Sequence, residues 1–161
     1  MRILGIDPGY AITGYSVIDY VGNKFKLITS GAILTKAKTS FQARLTIIYD
    51  ELDAIIKEYK PDAMSVEELF FNQNIKTAIS VAQARGIVLV VGYKNNIPTY
   101  EYTPLQIKQA VVGYGRAEKK QVQQMVKAIL KVQEVPKLDD ITDSMAIAIC
   151  HAHSAKFAQK L

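Results

Sequence analysis

Hydrophobic and polar positions in the first third of the chain follow the two-residue period of β-strands. Residues 3–6 form a short apolar run that is typical of a strand buried on both faces. Residues 12–20 and Lys24–Leu34 are rich in β-branched and aromatic side chains, and a Val-Gly-Asn turn separates them. Because the connections are short, we expect an antiparallel meander of three strands.

The period changes to that of an α-helix after residue 40. Apolar side chains then recur at steps of three and four, at Phe41, Leu45, Ile48, Leu52, Ile55 and Tyr59. Thr39 and Gln42 have the spacing of a capping box, and Pro61 ends the helix. Ala63–Glu67 reads as a fourth strand, and this strand finishes in a carboxylate.

The remainder of the chain alternates between helices and one more strand. A long helix is predicted from the cap Asn74 to Gly92, and a strand follows at 98–102. The next helix opens with the capping box Thr103-Pro104-Leu105-Gln106. An amphipathic helix is predicted at 118–132, and a last helix runs from Asp139 or Asp140 to about Phe157. The long helix is apolar on nearly every face, which is typical of a core helix or one shared with a second subunit. We expect an α/β fold whose mixed sheet has three antiparallel strands followed by two parallel ones. No linker divides the chain, so residues 1–161 form one predicted domain.

Composition narrows the class of protein. The 161 residues are 49% hydrophobic and 22% charged, which is ordinary for a globular protein. No apolar run reaches the roughly 20 residues of a membrane span, and the N-terminus lacks a signal-peptide pattern. The one cysteine, Cys150, fits a reducing compartment, so we expect a cytoplasmic protein without a membrane partner. The net charge of +5 is compatible with a polyanionic partner but does not require one, and the basic residues between Lys108 and Lys137 indicate either a basic face for such a partner or a solvated helix surface.

Carboxylates stand at three structurally similar places. Asp7 ends the first strand before a Pro-Gly turn, and Glu67 ends the fourth strand. Asp140 and Asp143 open the last helix, three residues apart and therefore on one helical face. If the first and fourth strands are neighbours and this helix begins at their edge, four carboxylates converge.

Clustered carboxylates repel one another, because two charges about 4 Å apart cost about 4 kcal/mol at an effective dielectric constant of 20. Divalent cations would relieve the repulsion, and oxygen-only ligands select Mg²⁺ or Mn²⁺ over zinc. Two such ions beside a phosphodiester would form a two-metal hydrolytic site. Spacing alone also allows Asp140 and Asp143 to be simple helix caps and Asp139 to be a solvated neighbour. Glu68 would point to the face of the strand opposite Glu67.

Several longer motifs carry a family resemblance that spans nearly the whole chain. They are Gly5-Ile6-Asp7-Pro8-Gly9, Thr13-Gly14-Tyr15, Gln83-Ala84-Arg85-Gly86, Val111-Val112-Gly113, Ala117-Glu118-Lys119 and Asp143-Ser144-Met145-Ala146-Ile147-Ala148. In this order they resemble the bacterial RuvC Holliday junction resolvases. The resemblance implies a ribonuclease H-like fold and a homodimer that uses Mg²⁺, two ions per subunit, to cut a four-way DNA junction in recombination and repair. It also implies a branch-migration complex of the RuvA and RuvB type as a partner.

The same resemblance assigns roles to individual residues. The catalytic and metal-binding carboxylates fall on Asp7, Glu67, Asp140 and Asp143, with Lys119 as a catalytic cation. The DNA-contacting positions fall on Phe70, Lys108 and Lys119, and Arg116 is a further DNA-binding candidate because it stands in a loop expected to touch DNA. Base stacking on an aromatic ring such as Phe70 is worth about 1–3 kcal/mol. Tyr114, Arg116 and the 72–74 segment depart from the family pattern, which leaves the sequence preference at the cut open.

Three rival interpretations remain distinguishable by their sequence requirements. Sugar-kinase and actin-like ATPases also open with a strand and a Gly-x-Asp-x-Gly turn, but they need a second phosphate-binding half. RuvX-type nucleases share the fold but not the stretch from Glu67 to Phe71. A catalytically inactive protein that only binds junctions would have no need of all four acids. His151 and His153 are two apart on a predicted helix and do not face each other, so we expect both to be structural.

Overall fold

A five-stranded mixed sheet forms the centre of the fold in a computed structural model that describes residues 1–68 and 75–158. The strands are β1 (Arg2–Asp7), β2 (Ile12–Val21), β3 (Lys24–Leu34), β4 (Ala63–Glu67) and β5 (Thr99–Tyr102). The helices are α1 (Phe41–Tyr59), α2 (Ile75–Lys94), α3 (Pro104–Val112), α4 (Lys119–Leu130) and α5 (Asp139–Ala158). The strand order is β3-β2-β1-β4-β5, with β1, β2 and β3 antiparallel and β1, β4 and β5 parallel. The predicted α/β architecture is confirmed.

The central strand β1 is buried on both faces, as its apolar run predicts. Ile3 packs with residues of α3, α4 and α5 on one side of the sheet. Leu4 and Ile6 pack with residues of α1 and α2 on the other side. The sheet therefore lies between two helical layers, and successive residues of β1 alternate between them.

Helix starts follow the sequence signals with one exception. Thr103 and Gln106 form the expected capping box of α3: the Thr103 hydroxyl accepts from the Gln106 amide at 3.2 Å, and the Gln106 side chain accepts from the Thr103 amide at 2.8 Å. The predicted capping box of α1 is wrong. Ser40, not Thr39, is the N-cap, and its hydroxyl accepts from the Ala43 amide at 3.4 Å. Two adjacent hydroxyl residues make this boundary ambiguous in sequence.

Helix α2 divides its apolar residues between the core and solvent. Ala84, Val88 and Val91 are fully buried against the sheet, whereas Ile79 and Val90 are 55% and 48% exposed. The predicted cap Asn74 lies outside the described residues. Within the described part of the chain, no helix is both long and apolar enough to span a membrane.

Two glycines allow α5 to lie unusually close to the sheet. A Cβ added to Gly5 would lie 2.2 Å from the Ser144 carbonyl oxygen, and one added to Gly14 would lie 2.0 Å from the Asp140 carbonyl oxygen. Side chains at these positions would force the helix away from β1 and β2. The glycines therefore determine how closely the start of α5 approaches the strand that ends in Asp7.

Candidate active site

Asp7 and Glu67 end two adjacent parallel strands. Ile6 of β1 pairs with Val66 of β4, so Asp7 and Glu67 are the next residues along the two strands. Parallel strands end at the same edge of a sheet, and ligand sites form beyond that edge. The sequence prediction that these two acids are neighbours is consistent with this register.

Both acids point toward α5. Asp7 lies on the same face of β1 as Gly5, which contacts α5. Glu67 lies on the same face of β4 as Ser65, whose hydroxyl donates to the Ile147 carbonyl of α5 at 3.3 Å. Glu68 faces the opposite way by the same alternation and is exposed. The strand alternation therefore selects Glu67 rather than Glu68 for the site.

The first turn of α5 adds its acids to this edge. Gly14 of β2 is the register partner of Asp7, and the Asp140 backbone packs against it. Burial raises the pKa of Asp7 well above its ordinary value, and the charges of Glu67, Asp143 and Asp140 raise it further. Carboxylates from three parts of the chain thus act on one another electrostatically.

Lysines only partly offset the repulsion. Burial raises the pKa of Glu67, the Asp143 charge adds to the effect, and Lys119 and Lys108 oppose it. Burial also raises the pKa of Asp143 against the charge and hydrogen bond of Lys119. The net result is an acidic cluster whose ionised form is destabilised, the condition that a divalent cation relieves.

A cavity of about 210 Å³ lies beside this cluster. Its polar wall carries two acids and two cations, and the remainder is mostly apolar: Glu67, Asp143, Lys108, Lys119, Pro104, Ile107, Val122, Ala146 and Ile147. Two of the predicted DNA-contacting lysines therefore share a cavity with two of the predicted catalytic acids. Asp140 lines a separate depression of about 510 Å³ together with Tyr10, Thr77 and Ser80.

The acids are neighbours without forming a finished coordination shell. Among residues 1–68 and 75–158, no three acidic, histidine or cysteine side chains are close enough together to hold one metal ion. Their chemistry nevertheless fits Mg²⁺ or Mn²⁺, because the donors are all carboxylate oxygens and their pKa values are raised by burial and mutual charge.

Arg116 and Arg85 do not line the cavity beside the acidic cluster. Phe70 lies outside the described residues. Arg116 is exposed in the turn between α3 and α4. Arg85, for which a DNA contact and a surface charge are both open from sequence, forms an ion pair with Glu101 and donates to the Glu67 carbonyl at 3.4 Å. Arg85 thus links α2 to the end of β4 and to β5.

His151 and Cys150 are buried in the core, and His153 is partly buried and hydrogen-bonded to the backbone, which is consistent with the expected structural roles. His151 is buried and its Nδ1 lies 2.8 Å from the Tyr102 hydroxyl. His153 Nδ1 lies 3.0 Å from the Ala110 carbonyl oxygen. Burial raises the pKa of the Cys150 thiol to about 11, which keeps it protonated and unreactive at neutral pH.

Sequence reasoning missed two features of the site. Gly14 makes room for the start of α5, and its signal was an isolated glycine inside a strand pattern. Asp139 is exposed, as expected of a solvated neighbour, but it also pairs with Lys119 and accepts a hydrogen bond from Gln123, both of α4. No local pattern predicts that contact, because it joins helices whose relative position depends on the fold.

Comparison with known proteins identifies the family. The family model described as "Crossover junction endodeoxyribonuclease RuvC" matches residues 3–151. The chain belongs to the RuvC family. RuvC proteins of Ruminiclostridium cellulolyticum and Clostridioides difficile are each 55% identical over 161 residues, covering 100% of this chain and 97% and 95% of the relatives. The structure of Thermus thermophilus RuvC in complex with a Holliday junction substrate matches with a TM-score of 0.94 and 33% identity, covering 98% of this chain and 96% of that one. The shared RuvC fold is ribonuclease H-like.

Proposed function

We propose that this protein resolves four-way DNA junctions by metal-dependent hydrolysis of two opposed phosphodiesters, leaving 5′-phosphate ends. Its membership of the crossover junction endodeoxyribonuclease family supports the reaction class. The observation that carries the residue assignment is the position of Asp7 and Glu67 at one sheet edge, facing the helix that has Asp140 and Asp143 near its start. A single nuclease domain comprising residues 1–161 contains all four acids.

Asp7, Glu67, Asp140 and Asp143 are the proposed metal ligands. Mg²⁺ is the expected cation, Mn²⁺ can replace it, and two ions are expected per subunit in the complex with DNA. When bound, such cations neutralise the phosphodiester and supply the Lewis acidity for hydrolysis. The acids of β1 and β4 are held by paired core strands, so half of the ligand set is rigid before DNA arrives.

Lysines beside the acids are the proposed phosphate contacts. Lys108 and Lys119 line the cavity that also contains Glu67 and Asp143. There Lys119 stabilises negative charge on the reacting phosphate, and Lys108 binds the adjacent backbone. Arg116 extends this basic surface, and Phe70 is the proposed stacking residue for an unpaired base.

Symmetric cleavage requires two active sites related by a twofold axis, so we propose a homodimer. Ile79 and Val90 are large apolar side chains about half exposed on α2, which supports this helix as the interface. The dimer acts in the cytoplasm with a branch-migration complex of the RuvA and RuvB type.

Replacing one acid tests the proposal directly. We expect Asp7→Asn to lower the cleavage rate of a labelled four-way junction in Mg²⁺ by at least about 100-fold. Binding of the same junction should survive, because phosphate contacts come from other residues. Asp50→Asn, an exposed acid of α1, is the matched control and should cleave normally. Normal cleavage by Asp7→Asn, or cleavage in the presence of chelator, would remove the acidic cluster from the mechanism.

A further inference from the structure

Lys119 is held at the acidic site by two carboxylates near the start of α5, Asp139 and Asp143. Its Nζ lies 3.0 Å from Asp139 Oδ2 and 3.2 Å from Asp143 Oδ2. The other oxygen of Asp139, Oδ1, accepts from Gln123 Nε2 at 3.0 Å. Both oxygens of Asp139 are therefore used by side chains that α4 presents one helical turn apart.

The placement of Lys119 is unfavourable for α4 considered alone. Lys119 is the first residue of this helix, where the macrodipole favours negative rather than positive charge. Its flexible side chain is half exposed, so an unbound ammonium would sample many positions. Burial lowers the pKa of Lys119, but the hydrogen bond to Asp139 and the Asp143 charge together raise it. The two acids of α5 stabilise a cation that its own helix does not.

The two acids differ in what else they do. Asp143 is a proposed metal ligand and lines the cavity, whereas Asp139 does not line it and has Gln123 as its second partner. Once Asp143 is engaged by a cation, Asp139 is the carboxylate that remains for Lys119. We propose that Asp139, oriented by Gln123, is a positioning residue that holds the Lys119 ammonium over the reacting phosphate. This inference rests on the proposed role of Lys119 in junction cleavage.

The first experiment separates positioning from simple charge removal. Asp139→Asn should lower the single-turnover cleavage rate at saturating enzyme about two- to five-fold, the range for a half-exposed ion pair. The enzyme concentration for half-maximal rate should stay the same or fall, because a negative charge near DNA is lost. Asp139→Glu, which keeps the carboxylate, should restore part of the rate. Glu134→Gln, an exposed acid on the loop before α5, is the matched charge control and should leave the rate unchanged.

A double-mutant cycle tests whether Asp139 acts through Lys119. Lys119→Met alone should lower the cleavage rate, and adding Asp139→Asn to it should change the rate less than about 1.5-fold. A full two- to five-fold loss in that background, or an unchanged rate in Asp139→Asn alone, would overturn the inference. If Lys119→Met itself cleaves normally, it is the proposed role of Lys119 that fails.

A second readout needs neither metal nor DNA. In chelator, adding Asp139→Asn to Asp143→Asn, which removes the other carboxylate partner, should make Lys119 more reactive toward an amine acylating reagent, because its Nζ then has neither carboxylate within hydrogen-bond distance. Mass spectrometry of the labelled peptide measures this rate, with Lys120 of the same helix as the internal reference. Unchanged Lys119 reactivity would show that Asp139 does not hold the ammonium and would overturn the inference.

Discussion

Removing the charge of Asp7 should stabilise the metal-free protein. Burial and the charges of Glu67, Asp143 and Asp140 all disfavour the ionised form of Asp7, and the opposing charge is that of Lys119. At neutral pH the folded chain must hold this carboxylate ionised or take up a proton, and both cost free energy. Asp7→Asn keeps the shape of the side chain and removes that cost.

The magnitude follows from the arrangement of the acids. A single pair of charges about 4 Å apart repels by about 4 kcal/mol at an effective dielectric constant of 20 and by about 1 kcal/mol in bulk water. Asp7 is repelled by three acids and attracted by one lysine. The amide that replaces it costs about 1 kcal/mol of stability if it lacks a hydrogen-bond partner. We therefore expect a net gain of about 2 kcal/mol in the free energy of unfolding. For a chain of this size the melting temperature should rise by about 4–8 °C.

The pH dependence gives the prediction its sign. The pKa of Asp7 is raised in the folded state, so the destabilisation is fully present above that raised pKa. It diminishes as the pH falls, because the folded protein takes up the proton first, and it is gone below the ordinary value near 3.8. The advantage of Asp7→Asn should therefore be largest at pH 8 and shrink steadily toward pH 4.

Urea unfolding of metal-free protein across this pH range is the assay. Asp50→Asn controls for the change in net charge, since Asp50 is exposed on α1. Mg²⁺ should reverse the order, because a ligand at 100 times its Kd stabilises the wild-type protein by about 2.7 kcal/mol and the variant lacks a ligand group. Equal stability of Asp7→Asn and wild type at pH 8, or a gain that persists undiminished at pH 4, would refute the electrostatic reasoning.

Two further predictions concern residues that the proposed chemistry does not touch. Gly14→Ala should destabilise the protein by about 1–3 kcal/mol and impair cleavage, because its Cβ would lie 2.0 Å from the Asp140 carbonyl oxygen. An unchanged free energy of unfolding for Gly14→Ala would contradict the close approach of α5. Burial lowers the pKa of His151 to about 4, so folding should lose about 2 kcal/mol between pH 7 and pH 5, as the unfolded chain takes up the proton near pH 6.5. His151→Gln should remove this part of the slope in urea titrations, and an unchanged slope would mean that His151 is not buried in its neutral form.

The sequence predicts the bounds of the strands better than the contacts between the sheet and its helical layers. The bounds of β3 and β4 agree with the residues predicted, because turn residues and alternation mark strand ends locally. The cap of α1 is displaced by one residue, since Thr39 and Ser40 offer the same hydroxyl chemistry. What local patterns could not supply is the distance between α5 and the sheet, which depends on glycines at Gly5 and Gly14 that meet a helix more than 120 residues away.

The same distinction separates the two pairs of acids, all four of which the sequence predicts. Asp7 and Glu67 follow from strand ends and parallel pairing, which are properties of the sheet. Asp140 can act on Asp7 because the backbone at the start of α5 packs against Gly14, so its contribution depends on tertiary packing. Asp7 and Glu67 are fixed on core strands, and Asp140 and Asp143 lie near the start of a helix. Without a cation, the like charges of these carboxylates repel one another and lower the stability of the fold. Core packing holds the acids together against this repulsion, because β1 and β4 are paired along their buried length and α5 is buried over residues 144–152. The acids can therefore remain together without a cation, at a cost in stability that binding of the proposed cation would offset.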